Sequence, residues 1–261
     1  MGKAVTKMMA FSEKPVWVLV SILLLGMSIL LLSSCAPKAS PFPSTMPATV
    51  AWGTSGAGGE KSWWICRFKI SWPPGVEADG TVDLLLAHAV VGPVLHEHSK
   101  DLSWWRFHRR AVRDETGHQF SFLFYSTPSV SLQIMDALRE SKILQQALDA
   151  RIVEKLTFDD PAKPTRTQIQ ATSDGHWSPA LQRNWPSYIM GVSSLWLGLI
   201  DDFMADAPAH DDDLSDLLEQ YRQVDSKVTA LWRKEGQHAF LHHLSAVFGY
   251  APLMIKKEIQ F

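Results

Sequence analysis

Polar and apolar positions change their rhythm several times along the chain. Residues 16–32 are almost wholly apolar, between a short stretch carrying Lys3, Lys7 and Lys14 and the small pair Ser33, Ser34. Residues 36–60, APKASPFPSTMPATVAWGTSGAGGE, have no apolar period. From 61 to 72 the chain alternates: Trp64, Cys66, Phe68, Ile70 and Trp72 fall on one side, Trp63, Ile65, Arg67 and Lys69 on the other. That is the pattern of a half-buried strand. Residues 81–98 read as a helix bent near Gly92-Pro93, because proline removes an amide donor and crowds the preceding turn.

Residues 103–112 and 118–126 alternate again around Asp114-Glu115-Thr116-Gly117, which predicts a hairpin. Ser126-Thr127-Pro128 starts a helix with Pro128 preset for its first turn. The apolar spacing of Val130, Ile134, Leu138, Ile143, Leu144 and Leu148 carries it to about residue 150. Residues 151–160 form the last strand. The sequence of elements is βαββαβ, the layout of ferredoxin-like folds, in which two helices cover one face of a four-stranded antiparallel sheet.

After a connector over 159–175 the pattern turns helical. Pro186 is expected to open one helix, residues 211–233 to form a second, and 237–250 a third closed by Gly249 and Pro252. The expectation is an α+β protein: a ferredoxin-like domain over 61–160, then a helical module over 161–261.

Composition adds little by itself. The 261 residues are 46% hydrophobic and 20% charged, with a formal net charge of −2, so no large field of one sign selects nucleic acid or any other partner. The two cysteines matter more. The basic start, apolar run and small residues are the layout of an export signal, and Leu32-Ser33-Ser34-Cys35 resembles the lipobox of bacterial lipoproteins.

That resemblance implies cleavage before Cys35, a diacylglyceryl group on its sulfur and acylation of the freed amine. Residues 1–34 are then a signal peptide, and 35–60 the lipidated cysteine and a flexible tether. The competing reading is an uncleaved anchor, since the apolar run is near the length that spans a bilayer. Ala36 after the cysteine, rather than Asp, resembles the pattern that sends Gram-negative lipoproteins to the outer membrane, facing the periplasm. Cys66 is left without an intramolecular partner, and in an oxidising compartment it is expected inside the core.

The alternation places Arg67, Lys69, Arg106, His108, Arg110 and Tyr125 on the sheet face away from the helices. Such a face could hold an anion: a phosphorylated headgroup, an acidic glycan or a peptide carboxylate. The commoner outcome is that it docks on the C-terminal helices, whose Asp201, Asp202, Asp206 and Asp211–Asp213 would neutralise it. RNA binding is not expected, since the aromatic RNP pattern is missing.

No metal site and no cofactor are expected. His238 and His242 are four apart, with His243 adjacent, but the Glu of H-E-x-x-H is missing; His96 and His98 are a second weak pair. HDDDLSD, 210–216, lacks the spacing of a calcium loop, and one of its aspartates is expected to cap a helix. No catalytic residue is assigned, because there is no G-x-S-x-G and no glycine-rich phosphate loop ahead of a helix.

Trp104 to His118, WWRFHRRAVRDETGH, with the aromatic strand after it, is similar in layout to the C-terminal domain of lantibiotic dehydratases and thiopeptide-type biosynthesis proteins. That family's second strand alternates arginines and this one has none, so no functional residue carries over.

The expected role is a membrane-tethered envelope lipoprotein that binds or assembles with an envelope protein or an anionic envelope ligand. The alternative is an envelope enzyme acting on an anionic substrate through the Arg106, His108 and Arg110 face.

Overall fold

Strand β1 (Ser62–Ile70) forms where the alternation runs unbroken, and it lies at the centre of a four-stranded antiparallel sheet of order β2-β3-β1-β4. The computed structural model describes residues 59–206 and 213–252. The signal peptide, Cys35, nearly all of the tether, Asp211 and Asp212 lie outside the described residues.

A helical segment follows β1: α1 (Thr81–Leu85), a wide π-helical turn (Leu86–Val91) and α2 (Gly92–Glu97). The wide turn immediately precedes Pro93, whose ring and missing donor disrupt the ordinary i to i−4 ladder. Strands β2 (Trp104–Ala111) and β3 (His118–Ser126) form the expected hairpin, with Trp105 opposite Phe124 and Phe107 opposite Phe122. Its turn is held by Asp114 Oδ1, which accepts the N–H groups of Thr116 and Gly117 at 3.0 and 3.1 Å. Gly117 takes a φ of +68°, a conformation that glycine adopts without strain.

Helix α3 (Pro128–Glu140) starts on Thr127, whose side chain accepts from Val130 N. The single long helix expected to reach residue 150 is broken instead. Ser141 is extended, and its hydroxyl caps a separate helix, α4 (Lys142–Asp149). A serine side chain offers the backbone a competing acceptor, so it stops one helix and starts the next. Strand β4 (Val153–Phe158) then pairs with β1.

One face of the sheet carries Trp64, Cys66, Phe68, Phe120, Phe122 and Phe124 into a core shared with Val90, Val91, Ile134, Met135 and Leu138. Cys66 is wholly buried, as expected.

The C-terminal region is helical, but its boundaries differ from expectation. Helix α5 (Pro179–Ala205) starts on Ser178, whose side chain accepts from Leu181 N, so Pro186 lies inside it. Proline cannot donate to the carbonyl four residues back, which belongs to Gln182. Ser173 Oγ fills that role, donating to Gln182 O at 2.8 Å.

Helix α6 (Leu214–Gly236) is capped by Asp213, as the sequence suggests. It does not end at residue 236 but runs through a π-helical turn (Gln237–His242) into α7 (His243–Val247). The second and third expected helices are therefore continuous through that turn. A second cluster, Leu84, Leu85, Ile200, Tyr221 and Val224, joins α1, α5 and α6. His88 fastens it, with Nδ1 2.7 Å from Tyr221 Oη and Nε2 3.3 Å from Asp201 Oδ1.

Candidate functional site

The six side chains expected on the outer face of the sheet do share that face, but most are engaged with their own chain. Arg67 Nη1 donates to Asp159 Oδ1 at 2.9 Å, and Lys69 lies 3.7 Å from Glu154. Arg110 pairs with Asp114 across the hairpin end. Tyr125 Oη donates to Thr167 O at 2.8 Å. His108 is exposed, while Arg106 is half-buried and donates from Nη2 to Thr172 O at 3.2 Å.

Over β1 and β3 this face is covered by the connector, and α5 reaches it only along β2. Trp63 donates from Nε1 to Ile169 O at 2.7 Å and from its amide to Arg166 O at 2.9 Å. Asp159 is the neutralising acid, with Arg166 as its second partner at 2.7 Å. The expectation that Asp201 would serve here is corrected: it faces His88 on the other side of the molecule. Asp159 directly follows β4, and the pairing of β4 with β1 brings it beside Arg67, its amide donating to Ile65 O at 3.2 Å.

Helix α5 packs along the edge strand β2. Ser193 Oγ accepts the Phe107 amide at 3.1 Å, covering an edge that would otherwise be open to another chain. Trp196 packs edge-on to Phe107, with ring centroids 5.7 Å apart.

Between β2, α5 and the α6–α7 arm lies an open groove of about 920 Å³. Val192, Leu195 and Trp196 form one wall; Trp232, Phe240 and Leu244 form the other. Trp232 is 57% exposed and Leu195 46%, an apolar surface left uncovered by the described residues. Gly236 helps to shape it, because a Cβ there would stand 3.1 Å from the Trp232 ring. The bare backbone lets Trp232 stack on Phe240 at 5.6 Å.

Polar groups gather at the β2 side of the groove: Arg106, His108, Arg109 and Asp225. Though the residue is exposed, partial desolvation of the imidazole, then the charges of Arg106 and Arg110, hold His108 below its ordinary pKa. Burial also lowers the pKa of Arg106. It raises that of Asp225, against the pull of Arg109.

A buried ionic cluster backs this strip. Asp83 is 1% exposed, and its Oδ2 is 2.9 Å from His118 Nε2 and 3.4 Å from Arg109 Nη2. Its Oδ1 is buried without a partner among the described residues. The sequence did contain a signal for this cluster: an aspartate standing alone in the apolar run VDLLLAHAVV, where an acid must find partners to be buried.

His238, His242 and His243 come together, their ring centroids 5.1 to 5.3 Å apart. Among the described residues no group of histidine, cysteine or acidic side chains has the arrangement to hold a metal ion. Nor is any described helix long and apolar enough to cross a membrane. No protein-family model, curated protein or solved structure matches the chain.

Proposed function

We propose that this chain is a lipid-anchored protein of the bacterial envelope whose work is binding, with the groove between β2, α5 and α6–α7 as its site. The observation that carries the reading is the groove itself: a wide, water-exposed apolar surface edged by a few polar groups, the composition typical of binding sites. The anchor rests on the lipobox-like Leu32-Ser33-Ser34-Cys35, and outer-membrane placement facing the periplasm on Ala36.

The α+β core is read as ferredoxin-like, followed by a helical module. Supporting this are the element order, the strand order β2-β3-β1-β4 and the packing of both helical crossovers on one sheet face. The enzymatic alternative draws less support. Arg110 is committed to Asp114, and His108 hydrogen-bonds to no acid among the described residues.

Two measurements test the proposal. Cys35→Ser should free the protein from membranes, since acyl chains supply the attachment at roughly 0.8 kcal/mol per buried CH₂. Retention without processing would replace the lipid anchor by a signal anchor. A solvent-sensitive apolar dye should brighten with the wild-type protein and not with Leu195→Glu. Equal brightening would remove the groove as the site.

A further inference from the structure

The arginines beside the groove are unequally matched. Arg109 has Asp83 at 3.4 Å and feels Asp225, and its guanidinium also lies over Trp196 at 5.0 Å. Arg110 has Asp114. Arg106 meets no carboxylate among the described residues. Its Nη2 is used by Thr172 O, its Nε is buried with no acceptor, and its Nη1 makes no hydrogen bond to the described residues. Thr172 Oγ1, on the residue it touches, is also buried and without a partner.

Two buried polar atoms left without partners among the described residues, on side chains of residues joined by a hydrogen bond, call for an explanation. Burial lowers the pKa of the Arg106 guanidinium, which has lost water without gaining a counter-charge. A cation left half-desolvated is stabilised by any anion that reaches it.

The surroundings narrow the anion. Arg106 stands at the β2 side of a groove whose other walls are tryptophan, phenylalanine, leucine and valine. A small free anion would leave those walls in water. A neutral apolar molecule would cover them and leave Arg106 unmatched. A molecule with a carbon chain and one anionic end satisfies both at once.

Nη1 of this guanidinium, unused among the described residues, offers a charge-assisted donor to a carboxylate. His108, next to it on the same face, adds a polar contact, and Arg106 and Arg110 disfavour a further positive charge on its ring. Asp225 does not repel such a head outright, since the charge of Arg109 offsets its own.

We infer that the groove takes a long-chain fatty carboxylate, its chain lying between α5 and the α6–α7 arm and its head on Arg106. This rests on the groove being the binding site, and it adds the chemical class of what is bound.

The test compares dodecanoate, dodecanol and dodecyl phosphate by titration calorimetry, the two anions below their micelle-forming concentrations and dodecanol below its solubility limit. Dodecanoate should bind at least about tenfold more tightly than dodecanol, the margin of one charge-assisted contact. Arg106→Gln should erase that margin and keep dodecanol binding, which also shows that the variant is folded. Leu195→Glu should remove binding of both.

Equal affinity for dodecanoate and dodecanol would overturn the inference and leave the groove as an apolar site. Preference for dodecyl phosphate would overturn the carboxylate as the head. No binding of any of the three would overturn the groove reading as well. Should Arg106→Gln not fold, the wild-type margin decides.

Discussion

His118 Nε2 stands 2.9 Å from Asp83 Oδ2, and both side chains are almost wholly buried where α1 meets the start of β3. Arg109 Nη2 reaches the same oxygen at 3.4 Å from β2. One carboxylate thus ties a helix to two strands, and removing it strands two donors at once. Asp83→Ala should cost about 3 kcal/mol, the lower part of the range for breaking a buried pair, because Arg109 remains partly in water. Urea unfolding at unchanged m-value checks it. A loss within about 0.5 kcal/mol, as for an ordinary surface substitution, would mean that the cluster does not hold the elements together. Replacing Asp83, Arg109 and His118 together by apolar residues of similar volume should recover most of the loss.

Asp225 sets a pH dependence of known sign. Burial raises its folded-state pKa above the ordinary aspartate value near 3.8. Between those two values the folded state binds more protons than the unfolded one, so stability declines as pH rises. The contribution is fully present below the unfolded pKa and gone above the folded pKa. The stability of wild type minus that of Asp225→Asn should therefore fall as pH rises through the range just above 3.8, then level off. A difference that is flat or rises with pH would falsify the assignment.

The alternating strands were readable because a two-residue period states which side chain faces the core. Phe120, Phe122 and Phe124 inside, with Arg67, Lys69 and Arg106 outside, follow from that period alone. The helix ends were not readable in the same way. Ser178 and Ser141 act as caps through one hydroxyl each, and Pro186 is tolerated because Ser173 takes over its carbonyl. Each of these depends on a partner fixed by the fold.

The groove was illegible for a related reason. Val192, Leu195 and Trp232 have helical spacing, and spacing cannot tell a face that meets a neighbour from one left in water. The same holds for Arg106 and Arg110. In the sequence they are equivalent cations four apart; in space Asp114 takes one and no described acid takes the other.

Cys66 offers a check on the register of β1. Its thiol faces the helices, and burial, reinforced by Asp159, pushes its pKa well up. The thiolate is the reactive form, so both access and ionisation oppose modification. In a Cys35→Ser background, where Cys66 is the remaining cysteine, native protein should resist maleimide labelling at neutral pH and urea-unfolded protein should react fully. Rapid native labelling would require β1 to be shifted by one residue, which would turn its whole apolar face to solvent.

Ser193 and Ser194 make a matched pair for asking what holds α5 against the sheet. Both hydroxyls donate back along the helix, to Ile189 O at 2.8 Å and Met190 O at 2.9 Å. Ser193 alone also accepts the Phe107 amide of β2, and it is buried, whereas Ser194 is exposed. Losing the acceptor leaves a buried amide unsatisfied, at about 1–3 kcal/mol. Ser193→Ala should therefore destabilise by about that much, and Ser194→Ala should change stability by less than about 0.5 kcal/mol. Because α5 carries one wall of the groove, Ser193→Ala should also hasten hydrogen exchange at Phe107 and weaken apolar-dye binding, which loss of the helical back-bond alone would not do. Similar behaviour of the two alanine variants would mean that packing of Trp196 on Phe107, rather than this hydrogen bond, fixes the helix to the edge strand.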